Sequence, residues 1–299
     1  MENNFDVIII GGSYAGLSAG MSLGRSLRKV LIIDSGTPCN RQTPHSHNFL
    51  THDGKTPKEI SDLAKEQVLQ YKTVKFYNGL VKQVSKHPEN FEVRTESNDT
   101  FVAKKIILAS GVKDVMPDIP GFAECWGISV IHCPYCHGYE VHGKVTGIMS
   151  NGDMGFEFSK IVYNLTKELT LFTNGISTLN SEQTAGFGRN KIGITETEIE
   201  RIDHENGQIR KVILKGGEEI PLDALYAKIP FKQNINVENL GLELTEHGHL
   251  KIDHFHKTNV EGVFACGDNT TMMRAVANAV AQGNLTGAVV NGELADESF

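Results

Sequence analysis

Phe5-Asp-Val-Ile-Ile-Ile-Gly-Gly-Ser-Tyr-Ala-Gly16 decides the fold of this 299-residue chain. The run up to Ile10 suits a strand buried in a parallel sheet, a helical pattern follows to Leu27, and Val30 to Asp34 is a second buried run. Strand, helix and strand of these lengths make a βαβ unit. In the dinucleotide fingerprint the first glycine allows the tight turn, the second lets backbone approach a pyrophosphate, and the third lets helix pack on strand. Gly11, Ser13 and Gly16 take those places, and the amides of Ser13, Tyr14, Ala15 and Gly16 open the helix where negative charge is favoured. Asp34 closes the second strand, where a carboxylate can accept both hydroxyls of a ribose. The ligand this implies has an unphosphorylated ribose, as FAD and NAD do.

From Val74 to Leu108 the pattern shifts to short alternating segments with polar turns at His87-Pro-Glu-Asn90 and Ser97-Asn-Asp99, a small antiparallel insert. It closes on the small-residue turn Ala109-Ser-Gly111. Met116-Pro-Asp-Ile-Pro-Gly121 suits neither helix nor central strand and marks a domain crossover. Lys144 to Met149, Phe156 to Leu165 and Leu169 to Phe172 then repeat strand, helix and strand, with short strands from Ile192 to Ile229. Gly262 to Gly267 reads as a last strand and Thr271 to Val290 as a helix buried on most faces. Phe264-Ala-Cys-Gly-Asp268 sets a carboxylate where a polyol chain would lie, and Arg274 adds a cation near the helix start, which favours FAD over NAD.

Midway stands His132-Cys-Pro-Tyr-Cys-His137-Gly-Tyr-Glu140. Two thiols at this spacing, Cys133 and Cys136, can pass between dithiol and disulfide and move two electrons per cycle. Zinc is the rival use, with His132, His137 and His142 nearby. Structural zinc sites draw their ligands from two separated pairs, though, and these crowd into one stretch, so no metal is expected. A thioredoxin-like fold would carry the motif after its first short strand, not after a complete nucleotide-binding half. Cys39, Cys125 and Cys266 read as packing residues, and Glu246 to His256 as a polar turn and strand edge.

A net charge of -7 and a pI near 5.9 argue against a nucleic-acid partner, and no basic run reads as a membrane patch. Met1 to Asp6 enters the first strand without a charged leader or a spanning apolar run, so the expectation is a cytoplasmic protein with no structural disulfide framework.

In order and spacing, Gly11 to Gly16, Asp34, Asn48, Ala109 to Gly111, Cys133 to Cys136 and Gly267-Asp268 resemble the low-molecular-weight thioredoxin reductase family of pyridine nucleotide-disulfide oxidoreductases, over essentially the whole chain. The resemblance implies an α/β fold of two nucleotide-binding, three-layer (ββα-type) Rossmann-like domains, the second inserted in the first. Residues 1–115 and 246–299 would hold FAD, and 116–245 would form an NAD(P)H-binding-like domain carrying the CxxC. It further implies a homodimer and a thiol or disulfide substrate, either a small molecule or a thioredoxin-like protein. By the same resemblance Cys136 faces the flavin and Cys133 exchanges with substrate sulfur. Asn48, Val81, Arg274, Ala275 and Val276 fall on its flavin-contacting positions, with Ser35, Arg41, Ala109, Gly111, Gly267 and Asp268 as further cofactor-side candidates.

The chain departs from that family in two places. Between and after the cysteines the family carries alanine, threonine and a catalytic aspartate, where this chain has Pro134, Tyr135 and His137. Histidine titrates near neutrality and suits proton exchange with a thiol; Glu140 is the alternative acid. The second fingerprint, Ser150-Asn-Gly-Asp-Met-Gly155, lacks its first glycine, and the next strand ends Phe172-Thr-Asn-Gly175 where the family places a histidine and two arginines for a 2′-phosphate. With neither arginine nor carboxylate there, NADPH and NADH both lose their main anchor, unless Arg189 and Lys191 reach in from a later loop, and NADPH is doubtful as a cofactor. This pattern, with Asp34-Ser-Gly36, Arg41 and His47, resembles a branch of FAD-dependent dithiol oxidases that close disulfides in natural products such as gliotoxin and holomycin. The expectation is an FAD-dependent thiol-disulfide oxidoreductase with Cys133, Cys136 and His137 as catalytic residues, acting as a dithiol oxidase that passes electrons via FAD to oxygen or another acceptor, or as a reductase not relying on NADPH. An NADPH-dependent thioredoxin reductase and a non-catalytic redox sensor are the alternatives. Arg41, His45 and His47 are candidates for the border of a substrate pocket.

Overall fold

A computed structural model describes residues 3–235 and 238–299, so Met1 and Glu2 of the expected entry run lie outside the described residues. The chain opens with β1 (Asn4–Ile10), α1 (Tyr14–Arg25), β2 (Val30–Asp34), α2 (Pro57–Leu69), β3 (Val74–Asn78), β4 (Val81–Lys86), β5 (Phe91–Thr95), β6 (Thr100–Leu108) and β7 (Val112–Asp114). There follow α3 (Phe122–Cys125), β8 (Val130–Ile131), α4 (Pro134–His137), β9 (Thr146–Met149), α5 (Gly152–Tyr163), β10 (Leu169–Phe172), α6 (Ser181–Arg189) and β11 (Gly193–Thr195). It ends with β12 (Ile199–Glu205), β13 (Gln208–Leu214), β14 (Glu219–Pro221), β15 (Ala224–Ala227), β16 (Phe231–Gln233), β17 (Val263–Ala265) and α7 (Val276–Asp296).

Two compact units result. The first comprises the residues up to Arg41, Asn48–Asp114 and Phe231–Phe299. Its sheet runs β3-β2-β1-β6-β5-β4, and β17 pairs the far end of β6. β1 lies between parallel neighbours, with Val7, Ile8 and Ile9 fully buried, which explains why its run is apolar rather than alternating. Val7 and Ile9 join a core with Leu17 and Leu23 of α1 and Val290 of α7. Ile8 and Ile10 turn to the other face, against Val84, Phe91 and Leu250. Each such isoleucine contributes about 1.5–3 kcal/mol relative to exposure, offset in large part by chain ordering.

A capping box starts α2: Thr56 Oγ1 accepts from the Glu59 amide at 3.2 Å, and Glu59 Oε2 accepts from the Thr56 amide at 2.8 Å. Thr56→Ala is expected to cost about 1 kcal/mol, seen as a lower denaturant midpoint at unchanged slope.

The second unit comprises Gln42–His47 and Val115–Pro230. Its parallel sheet runs β11-β10-β9-β15-β8, beside an antiparallel β12-β13-β14 sheet. Residues 231–235 and 238–245, expected in the inserted domain, group with the first unit, where β16 pairs antiparallel with β7 (Phe231 with Asp114, Gln233 with Val112). Conversely, Gln42–His47 is drawn into the second unit: Gln42 Nε2 donates to the Ala123 carbonyl at 3.2 Å. The last helix begins at Val276, five residues after the expected Thr271, since Thr271 to Ala275 form the loop that carries Arg274. Among the described residues no helix is long and apolar enough to cross a membrane.

Candidate active site

In the first unit the fingerprint turn is as tight as its glycines require. Gly11 has φ +106°, and a Cβ there would lie 2.2 Å from the Ala109 carbonyl oxygen; one on Gly16 would lie 1.9 Å from that of Gly11. Asp34 accepts from the Gly12 amide (2.9 Å) and the Gly36 amide (3.1 Å), one bond to each oxygen, so it braces the turn while keeping lone pairs for a ligand. Ser13 stands at the N-cap of α1 with no side-chain cap, and the first turn holds no acid, which leaves an open helix start. The Tyr14 ring is buried and its hydroxyl donates to the Pro57 carbonyl at 3.1 Å, so Tyr14 can serve a ligand through its amide only. Ala109 is buried and Gly111 takes φ +61°. Ser35, Arg41 and Asn48 are exposed on loops, and Val81 is half-buried at the start of β4.

Arg274 does not stand free as a cation for a ring. Its guanidinium forks onto Asp114 at 2.7 and 3.2 Å, and its Nε lies 3.6 Å from Asp268 Oδ2. Burial raises the Asp268 pKa, and Arg274 opposes that shift. Gly267, at φ +89°, donates its amide to Gln282 Oε1 at 2.7 Å; the Thr270 hydroxyl donates to the same oxygen at 3.1 Å. Ala275 is the N-cap residue of α7 and Val276 its first residue, again without a side-chain cap. Asp114 and Gln282 carry no local signal, because their roles come from partners distant along the chain. Cys39 was expected to pack; it is exposed, with its thiol 3.8 Å from Asp268. Cys125 and Cys266 are buried as expected, and burial pushes their thiols up to about 11 and about 12.

In the second unit, Cys133 and Cys136 form a disulfide, with Cα atoms 5.3 Å apart, across the short helix α4. Cys133 is its N-cap and Pro134 its first residue; the Cys136 amide donates to Cys133 Sγ at 3.2 Å. Neither nitrogen of the His137 ring has a hydrogen-bond partner, and both are shut from solvent. Burial lowers the His137 pKa; the Glu140 carboxylate raises it, a protonated His47 lowers it, and the Cys133 carbonyl raises it weakly. Glu140 Oε1 lies 3.4 Å from His47 Nε2. His132 stacks on Trp126 with ring centroids 5.8 Å apart. Tyr135 and Tyr139 are 70% and 79% exposed beside the disulfide.

At the second fingerprint, Asn151 caps α5 and its side chain is fully engaged. Asn151 Oδ1 accepts from the Gly152 amide (2.8 Å), the Thr178 amide (2.9 Å) and the Thr178 hydroxyl (3.2 Å), while Nδ2 donates to the Ile176 carbonyl (2.9 Å). Glu196 Oε1 fixes the same loop through the Ser177 amide at 2.8 Å. Asp153, in the first turn of α5, accepts from Gln183 Nε2 at 2.6 Å.

Residues 5–283 match the model of the pyridine nucleotide-disulphide oxidoreductase family. The chain belongs to that family. Thioredoxin reductase tcpT of Claviceps purpurea is 34% identical to this family member, over 98% of this chain and 95% of its own. An oxidoreductase from Agrobacterium tumefaciens has a similar structure, with a TM-score of 0.92 at 35% identity and 99% of each chain covered. HlmI gives 0.93 at 27% identity, covering 100% of this chain and 95% of its own. This family member is accordingly an FAD-dependent oxidoreductase acting on sulfur groups.

The two fingerprints fit their nucleotides unequally. In the first unit, the missing side chains at Gly11 and Gly16, the open start of α1, Asp34 and Asp268 fit a flavin dinucleotide. In the second unit, the start of α5 is capped by Asn151, which is bonded to the 176–178 loop, and a carboxylate stands in its first turn, where an anion is disfavoured.

Proposed function

We propose that this oxidoreductase closes a dithiol into a disulfide, with Cys133 and Cys136 as its redox pair, and that it draws no electrons from a nicotinamide nucleotide. The observation that carries this reading is the Asn151 side chain tied to Gly152, Ile176 and Thr178, in a fingerprint that also lacks arginines for a 2′-phosphate. Bound FAD supplies a two-electron acceptor, and oxygen is the final acceptor, so that dithiol and oxygen give disulfide and hydrogen peroxide.

The chain's own residues handle the sulfur chemistry. One substrate thiolate bonds to Cys133 Sγ while the Cys133–Cys136 bond breaks and its electron pair stays on Cys136. The second substrate thiolate then displaces Cys133 and closes the product disulfide. His137 takes up the thiol protons: its buried, partnerless ring nitrogens suit a transient donor, and its lowered pKa keeps it a base into mildly acidic solution. In this reading Gly11, Ser13, Gly16, Asp34, Gly267 and Asp268 hold the flavin. The protein works as a cytoplasmic homodimer, which its mass in solution checks.

Mixing the oxidised holoenzyme anaerobically with a small dithiol is expected to bleach the flavin absorbance, and mixing it with NADPH or NADH is expected to leave it unchanged. Rapid bleaching by NADPH overturns the oxidase reading. It favours the second one, a disulfide reductase, which the name of the tcpT relative supports.

A further inference from the structure

A base that is shut from water needs somewhere to send the proton it collects. His137 has no solvent at either ring nitrogen and no hydrogen-bond partner for them. Three residues later in the chain stands Glu140, whose side chain is 39% exposed and whose carboxylate meets His47 Nε2 at 3.4 Å. His47 comes from Gln42–His47, the stretch that joins the second unit ahead of its main run from Val115. That stretch is anchored by Gln42 on the Ala123 carbonyl and by Thr43 against Gly127, where a Cβ would come within 3.1 Å of the Thr43 hydroxyl. Ser46, beside His47, is buried.

We propose that the Glu140–His47 pair is the proton outlet of His137 and sets the charge around it. This rests on His137 being the proton carrier. Each substrate dithiol gives up two protons and two electrons. The electrons enter the Cys133–Cys136 bond, and the protons pass from His137 to Glu140 and from there to water. His47 holds the carboxylate in place and, when protonated, balances its charge. Tyr226 closes another side: it is buried, its hydroxyl has no partner, and burial with the nearby Glu140 raises its pKa so far that it stays neutral. Titratable groups close by include His45, with its ring 6.3 Å from that of His47, and, two residues after Glu140, His142, bonded to the Tyr139 carbonyl; the two cysteines are joined to each other.

The two members act on His137 with opposite sign, which separates this role from mere support. Glu140→Gln removes the anion that favours the imidazolium, so the acid limb of the rate against pH moves to lower pH. His47→Gln removes the partner that, when protonated, offsets the Glu140 charge, so the limb moves to higher pH, each shift being on the order of half a pH unit. The experiment is anaerobic flavin bleaching by a small dithiol across pH, on flavin-loaded wild type, both variants and His137→Asn. Limbs that stay in place, or that move together, overturn the outlet. A His137→Asn protein with the wild-type rate and profile overturns the proton carrier itself, whatever the other two do.

Discussion

Cys136→Ser abolishes flavin bleaching by a dithiol while the flavin stays bound. The disulfide is the only redox bond that the second unit offers among the described residues, since Cys125 is buried and its pKa is raised. With serine at 136, Cys133 can neither be attacked as a disulfide nor pass electrons onward. The rate should fall by roughly 10⁴-fold or more, the scale of losing one member of a catalytic unit. Cys133 remains able to exchange with a disulfide of a small monothiol, releasing one monothiol, and because Cys136 is not there to resolve the bond and no second thiol is tethered to the adduct, a mixed disulfide should accumulate with the monothiol disulfide in excess. Mass spectrometry of the intact protein reads that adduct, and it should disappear in Cys133→Ser. Bleaching that survives in Cys136→Ser would remove the cysteine pair from the reaction altogether.

The sequence made local features legible and left distant pairings hidden. The β1 run, the glycines after it, Asp34 and the CxxC are each written within a few residues, and the structure has the strands and turns they imply. Cβ contacts at Gly11 and Gly16 show why those two positions were readable: nothing larger than hydrogen fits. Arg274 was visible as a cation, whereas its bidentate partner Asp114 was not, because the pair forms only when β7 meets the loop before α7. The same holds for His47 and Glu140, which meet because Gln42–His47 is pulled into the second unit. The weak second fingerprint was readable as a loss of glycine. That Asn151 is tied to the 176–178 loop depends on that loop folding back, which no periodicity announces. The side to which Phe231–Gln233 belongs is hidden for a related reason, since the β16–β7 pairing joins segments from opposite sides of the inserted domain.

Gly283→Val is expected to strip the protein of flavin and destabilise it, whereas Gly292→Ala, nine residues further along α7, should do neither. A Cβ at Gly283 would lie 2.1 Å from the Ala15 carbonyl oxygen, 2.8 Å from its carbon and 3.0 Å from its Cα. All three atoms are backbone of α1 and cannot swing aside. The next contact, at Gly287, is similarly close, 2.7 Å from the Ala19 oxygen, so the two helices touch along a seam of small residues. Forcing them apart costs at least about 1–3 kcal/mol in overpacking. The larger consequence lies at the first fingerprint. Ala15 belongs to the helix start that would meet a pyrophosphate, and a Cβ on Gly267 would come within 3.0 Å of the Ala15 Cβ. Gln282, adjacent to Gly283, fixes the Gly267 amide and the Thr270 hydroxyl. A shift of α7 therefore moves both walls of the proposed flavin site at once. Gly292 has nothing within 4 Å of its would-be Cβ, so alanine there should stabilise the helix by roughly 0.5–1 kcal/mol. The ratio of flavin to protein absorbance and the thermal midpoint read both variants. A Gly283→Val protein that keeps full flavin content would mean that the α1–α7 seam does not control the cofactor.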